Sequence, residues 1–223
     1  MLRPIFARTA RLYLGLFFFA LGTVLTLRAA LGISPWDVLA DGIRKHTPLT
    51  FGQAVIAIGA LLIVVSFTFG VRPGFGTLSN MVFIGLFADV MLGTGVGAEL
   101  DDEHMALRVV VLLAGIAIIG LGSALYIGAR MGAGPRDSLM VTVATRTRLS
   151  VRAARTAIEG SALLAGVALG GSFGIGTAVF ALTIGPSVHF FFDRFGMDPS
   201  GFPNKNPPPY GGHLERGNHV ERD

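Results

Sequence analysis

The sequence predicts an all-α polytopic membrane protein with about six transmembrane helices, arranged as two inverted three-span repeats that each carry a short interfacial or re-entrant helix. This fold class is predicted by three observations: the composition, the apolar runs and an internal repeat. Of 223 residues, 52% are hydrophobic and 14% charged, with a mean hydropathy of +0.64, whereas soluble domains carry about 25% charged residues. Several apolar runs approach the ~20 residues that cross a bilayer.

The apolar runs place the spans in chain order. The first could be a signal peptide because arginines precede it, but its length and an internal counterpart favour a retained helix. The fifth is short, and we expect Arg152 and Arg155 to extend it by snorkelling. The predicted spans are residues 12–31, 51–69, 77–92, 109–127, 156–170 and 177–192.

Basic residues indicate the orientation of the spans. Lys and Arg concentrate in the segments on one face of this arrangement, so both termini are predicted to be cytoplasmic. Arg44 and Lys45 are an exception on the other face. Because the basic residues lie between apolar spans, the net charge of +4 does not indicate nucleic-acid binding. The predicted organisation is a cytoplasmic N-terminus (1–11), a first membrane repeat (12–94), an acidic extracytoplasmic loop (95–106), a second membrane repeat (107–195) and a disordered cytoplasmic tail (196–223).

A shift of one hundred residues aligns the chain with itself without a gap. Ungapped agreement of glycines, prolines and an aspartate indicates an internal duplication. With three spans in each unit, the second unit must enter the membrane from the opposite face, as in many secondary transporters. The matched residues include Gly15, Gly22, Gly32, Pro35, Asp37 and Gly115, Gly122, Gly132, Pro135, Asp137.

Each unit contains a short helix that begins at a proline, in "SPWD" and "GPRD". Only about ten to twelve residues separate the prolines from Lys45 and Arg146, too few to cross the hydrocarbon core. The first of these helices is expected to have one apolar face, with Asp37 and Asp41 turned away from it. The motifs have two interpretations: helix capping, or two carboxylates that face a shared substrate cavity. The candidate residues are Ser34, Pro35, Asp37, Gly134, Pro135 and Asp137.

A second repeated motif, "GFGT" and "GIGT", precedes the third and sixth spans. It is not a P-loop, because no Gly-Lys-Ser/Thr sequence follows. The glycines favour close packing and the threonines favour helix capping, whereas anion binding at the helix start is the alternative. The candidate residues are Gly74, Gly76, Thr77, Gly174, Gly176 and Thr177.

Ionisable residues inside spans are costly and are often functional. Asp89, Glu159 and His189 are the candidates, each with an alternative position near a span end; Arg155 is expected to pair with Glu159. The sequence has no cysteine, no HExxH and no GxSxG motif. We therefore expect no catalytic residues, no metal site, no cofactor and no enzyme activity.

The stretches "LGISPWDVLADG", "RPGFGT", "MGAGPRDSLM" and "LGGSFGIGTAVFALTIGP" resemble the YczE/YitT-like bacterial integral membrane proteins, particularly the YczE branch. The resemblance covers roughly residues 12–192. It implies a multi-pass protein of the bacterial inner membrane and identifies no substrate or binding residue.

The sequence thus predicts a small transporter-like protein with a midplane site between inverted repeats. The alternative is a non-transporting accessory or regulatory protein that acts through its cytoplasmic face. The expected partners are the lipid bilayer, an unidentified small-molecule substrate and a second copy in a homodimer.

Overall fold

The computed structural model describes residues 2–98, 100, 103–147 and 150–196, and these form eight α-helices without a strand. The all-α fold class is therefore confirmed for this part of the chain. Residues 197–223 of the predicted tail and residues 99, 101 and 102 of the predicted acidic loop lie outside the described residues. The helices are α1 (Leu2–Arg28), α2 (Pro35–His46), α3 (Phe51–Thr68), α4 (Phe75–Gly93), α5 (Met105–Gly128), α6 (Pro135–Arg146), α7 (Val151–Ala168) and α8 (Ile175–Arg194).

Five of these helices, α1, α3, α4, α5 and α8, are long and apolar enough to cross a membrane. Large apolar side chains lie exposed on their outer surfaces, among them Leu61, Val64 and Leu182, as expected for a protein surrounded by lipid. The predicted fifth span corresponds to α7, which is not among the five. The layout of six spans in inverted repeats stays a prediction.

Helices α1 and α5 pack closely through four glycines. A methyl group at Gly22 would lie 2.5 Å from the carbonyl oxygen of Gly115, and one at Gly122 would lie 2.7 Å from that of Gly15. Small residues allow such close approach of helix backbones in membranes. Because residue 15 meets residue 122 while residue 22 meets residue 115, the two helices run antiparallel.

Tight turns follow α1 and α5 and dock onto distant helix starts. Gly32 and Gly132 have φ of 114° and 134°, a conformation that favours glycine. The Gly176 amide donates to the carbonyl of Leu31 at 2.7 Å, beside the first of these turns. In the other half of the chain, the Gly76 amide makes the corresponding 2.8 Å bond to Met131.

These contacts account for the GFGT and GIGT motifs by packing. A methyl group at Gly176 would lie 2.8 Å from the carbonyl oxygen of Gly32, which explains the requirement for glycine there. The N-caps of α4 and α8 are Gly74 and Gly174 rather than the threonines. Thr77 and Thr177 lie at the third helical position, where their hydroxyls accept from the glycine amides at 3.3 and 3.4 Å.

Helix α2 is buried on more faces than its amphipathic pattern indicates. The prediction that Asp37 and Asp41 point away from the packed face is wrong, because their exposed fractions are 3% and 0%. Helix α2 packs against both α3 and α7, so its polar side is covered as well. The buried Asp41 carboxylate bonds Arg44 at 2.6 Å and the Ser172 amide at 2.9 Å, which compensates its loss of water.

Candidate functional site

A cavity of about 220 Å³ lies between the N-terminal ends of α2 and α6. Ser34 and Pro35 line it from α2, and Gly134, Pro135 and Asp137 line it from α6. The structure thus brings two motifs one hundred residues apart to a single cavity. The remaining wall includes Phe19, Asn80, Ile119, Ser123, Tyr126, Met140, Phe180, Ile184, Gly185 and Val188.

The start of α2 is capped as its sequence predicts. The Ser34 hydroxyl accepts from the Asp37 amide at 3.2 Å and donates to Asp37 Oδ2 at 2.5 Å. The Asp37 carboxylate therefore lies just behind the cavity wall, held by its own helix terminus. This satisfies the capping interpretation in the first copy of the motif.

The start of α6 differs, because Gly134 offers no side chain to cap it. Instead of a cap, the Asp137 carboxylate has a phenol partner: Tyr126 Oη donates to Oδ2 at 3.0 Å. Asp137 and Tyr126 both line the cavity. The two repeated aspartates are therefore held differently, one by a serine cap and one by a neighbouring helix.

Arg136 connects the two short helices across the cavity. Its Nη2 lies 3.7 Å from Asp37 Oδ1, and its guanidinium carbon lies 5.3 Å from the centre of the Trp36 ring. Trp36 and Arg136 occupy equivalent positions in the two copies. The guanidinium of one short helix therefore faces the indole ring of the other, and this cation–π contact is energetically favourable.

The three predicted intramembrane polar residues divide into two groups. Glu159 and His189 line the cavity, and Glu159 pairs with Arg155 at 3.0 Å, as expected from their spacing. Asp89 has a different role, since its carboxylate accepts from the Gly52 amide at 2.7 Å and from the Thr50 hydroxyl. It therefore caps α3 instead of facing the cavity.

Sequence reasoning missed several cavity residues as candidates. Arg136 lies inside the quoted GPRD motif, of which Gly134, Pro135 and Asp137 are candidates and Arg136 is not. Tyr126 and Ser123 lie in a predicted span, where a polar group inside an apolar run is the signal that could have identified them. Asn80 lies near the start of α4 and could have been selected on the same ground.

Comparison with known proteins gives a family without a described activity. The family described as "Family of unknown function (DUF6198)" matches residues 6–193. An uncharacterized protein of Haemophilus influenzae is 37% identical over 173 residues, 78% of each chain. The uncharacterized membrane protein YczE of Bacillus subtilis is 37% identical over 186 residues, 80% of this chain and 82% of YczE. The uncharacterized protein YyaS of Bacillus subtilis is 25% identical over 185 residues, 80% of this chain and 89% of YyaS. No solved structure matches the chain.

Proposed function

Because the chain belongs to the YczE-like family (DUF6198) and is a multi-pass membrane protein, we propose that it is a transporter-like protein of the bacterial inner membrane. In this proposal, a small solute binds in the cavity between two repeats of opposite orientation. One observation carries the proposal: two short helices, equivalent in the repeat, begin at the same cavity. Interrupted helices that meet at a central site are typical of secondary transporters.

The contacts at one end of the bundle support the opposite orientation of the repeats. Arg108, at the start of α5, donates from Nε to the Ala29 carbonyl after α1 at 2.9 Å. Arg28 reaches the last turn of α4 at 3.4 Å, and Lys45 of α2 donates to the Gly170 carbonyl after α7 at 2.7 Å. The ends of α1, α4 and α7 therefore gather near α2, at what we call the α2 end.

The opposite end, the α6 end, collects the complementary termini. Arg146 of α6 donates to the Phe69 carbonyl after α3 at 2.8 Å, and the turn after α5 holds the start of α4. Helix α7 follows α6 and finishes at the α2 end, so it passes from one end to the other despite its lower hydropathy. This path supports six crossings, with both termini at the α6 end.

The charge of the α6 end supports its assignment to the cytoplasm. It carries the N-terminal arginines Arg8 and Arg11 and the arginines that follow α5, among them Arg130 and Arg146. Basic segments remain on the cytoplasmic side of bacterial membranes. We therefore place α6 at the cytoplasmic end of the cavity and α2 at the extracytoplasmic end.

The composition of the cavity wall supports a solute site over a purely structural core. Ionisable residues deep in a membrane protein are costly and commonly line substrate or ion pathways. Arg136, Asp137, Arg155, Glu159 and His189 all line this one cavity.

Cysteine accessibility tests the proposal, because the chain contains no native cysteine. Ser123→Cys places a thiol on the cavity wall, and Ser79→Cys places one at a buried site that does not line the cavity. We expect a small hydrophilic methanethiosulfonate reagent to label Ser123→Cys in folded protein in membranes and to leave Ser79→Cys unlabelled until denaturation.

The same two cysteine variants define the result that would contradict the proposed function. If Ser123→Cys reacts no faster than Ser79→Cys, water does not reach the cavity and a solute site is excluded. The accessory or regulatory interpretation would then replace the proposed one.

A further inference from the structure

We infer that the cavity ligand is a small zwitterion, a molecule that carries a carboxylate and an ammonium group as amino acids and betaines do. The inference rests on the proposed function and specifies the chemistry of its substrate. It follows from two neighbouring side chains of opposite charge, Arg136 and Asp137, whose bonding capacity within the described residues is largely unused.

Arg136 supplies the carboxylate-binding half of the site. A guanidinium has five N–H donors, whereas Arg136 makes one ion pair, at 3.7 Å, and one ring contact among the described residues. Its side chain is 25% exposed and lines the cavity. The stacked, planar guanidinium can therefore present a pair of donors to a ligand carboxylate, the geometry that arginine recognises best.

Asp137 supplies the ammonium-binding half. An ionised carboxylate has about four acceptor positions, and the hydrogen bond from Tyr126 uses one of them. The rings of Phe19 and Phe180 also line the cavity, and aromatic faces attract organic cations. An ammonium or quaternary ammonium group thus finds a counter-ion and aromatic walls together.

The remaining charges of the wall favour a ligand with both signs. Arg155 and Glu159 already neutralise each other at 3.0 Å. An anion would use Arg136 and leave the Asp137 carboxylate without a counter-ion in a site of low dielectric constant, which is unfavourable. A cation would use Asp137 and leave the donors of Arg136 with only the 3.7 Å pair to Asp37. A zwitterion uses both and leaves the net charge of the site unchanged.

The size of the cavity favours a small ligand. Its volume of about 220 Å³ is below the roughly 300–1,000 Å³ of sites for drug-sized ligands. A short amino acid or a betaine is a ligand of the expected class, whereas a peptide or nucleotide is not.

Trp36 permits a direct binding test, since it is the single tryptophan of the chain and lines the cavity. The purified full chain in detergent is titrated with L-alanine and glycine betaine while tryptophan fluorescence is recorded. Choline, which lacks the carboxylate, and propionate, which lacks the cation, are the matched probes. We expect a saturable change with the zwitterions and about ten- to hundredfold weaker binding of the single-charge probes.

Variants assign the two halves of the site. Arg136→Gln should remove the preference for betaine over choline, and Asp137→Asn should remove the preference for alanine over propionate. Asp193→Asn, at an exposed carboxylate near the end of α8, should leave both preferences intact. Choline or propionate binding as tightly as the zwitterions to the unaltered protein overturns the inference, as does the absence of a saturable change with either zwitterion.

A cavity-filling variant covers the case in which the charge variants do not fold. Gly185 lines the cavity, and a side chain added there meets no atom within 4 Å; Gly160 is equally open but does not line the cavity. Gly185→Leu should abolish zwitterion binding and Gly160→Leu should preserve it; equal binding by both contradicts the inference.

Different results would refute the proposed transport function and the proposed zwitterion ligand. Binding of alanine by a protein whose proteoliposomes take up no labelled alanine refutes transport and leaves the zwitterion site. Labelling of Ser123→Cys without zwitterion binding refutes the zwitterion and leaves a solute cavity.

Discussion

Asp89 and His189 occupy equivalent positions in the repeat but have different surroundings. Asp89 binds the first turn of α3 through the Gly52 amide at 2.7 Å and the Thr50 hydroxyl. His189 lines the cavity and caps no helix start among the residues that the structure describes. The duplicated position therefore holds a structural carboxylate in one half and an imidazole beside the proposed ligand site in the other.

We expect Asp89→Asn to destabilise the protein by about 1–2 kcal/mol, because charge-assisted hydrogen bonds to the start of α3 become neutral ones. Thermal unfolding in detergent measures the effect. The matched control is Asp193→Asn, whose carboxylate is exposed at the end of α8. Equal melting temperatures for Asp89→Asn and the control would show that the cap contributes nothing measurable.

Helices α2 and α6 have equivalent bounds but are anchored unequally. In α2, the buried Asp41 carboxylate bonds Arg44, Lys45 and Ser172 and so ties the helix to the turn before α8. The equivalent position in α6 is Val141, which cannot form such bonds. The α2 end of the cavity is therefore fastened by a polar network that the α6 end lacks at this position.

The network at α2 makes stability depend on pH. Burial raises the pKa of the Asp41 carboxyl, but hydrogen bonds from Arg44, Ser172 and Lys45 outweigh burial and hold that pKa below its usual value. A carboxyl with a lowered pKa in the folded state stabilises the protein above its ordinary pKa of about 3.9, and this contribution is lost as the pH falls through the lowered value.

We therefore expect Asp41→Asn to lower the melting temperature at neutral pH, with the difference from the unaltered protein shrinking below about pH 4. Melting curves of both proteins across this range test the prediction. A difference that does not change with pH would assign the effect to packing alone. Comparing the two proteins at each pH removes the contribution of the other carboxyl groups.

At the scale of the molecule, the architecture was more predictable than the site. Prolines 35 and 135 and the short apolar segments after them predicted α2 and α6, because proline fixes the first turn of a helix. The burial of Asp41 was not predictable from local pattern, since its partner Ser172 is 131 residues away. Arg136 was not predictable as a cavity residue for a similar reason, because its partners Asp37 and Trp36 come from the other half of the chain.

The orientation of the halves gives a prediction for the whole molecule. Thr47 and Thr147 are exposed, end the two short helices and each donate to a carbonyl four residues earlier. In intact cells, an impermeant maleimide should label Thr47→Cys, whereas Thr147→Cys should require permeabilised membranes. The unaltered chain, without cysteine, is the blank. Labelling of both variants from one side would exclude opposite orientation.

The glycine contact between α1 and α5 also bears on how such a chain originates. Gly15 contacts Gly122 and Gly22 contacts Gly115. This is the reciprocal pattern of contacts that a twofold homodimer makes. The same interface would form between two separate half-length polypeptides inserted in opposite directions. Under the proposed opposite orientation of the halves, the chain corresponds to such a pair joined end to end, in which one copy has an arginine where the other has a tryptophan.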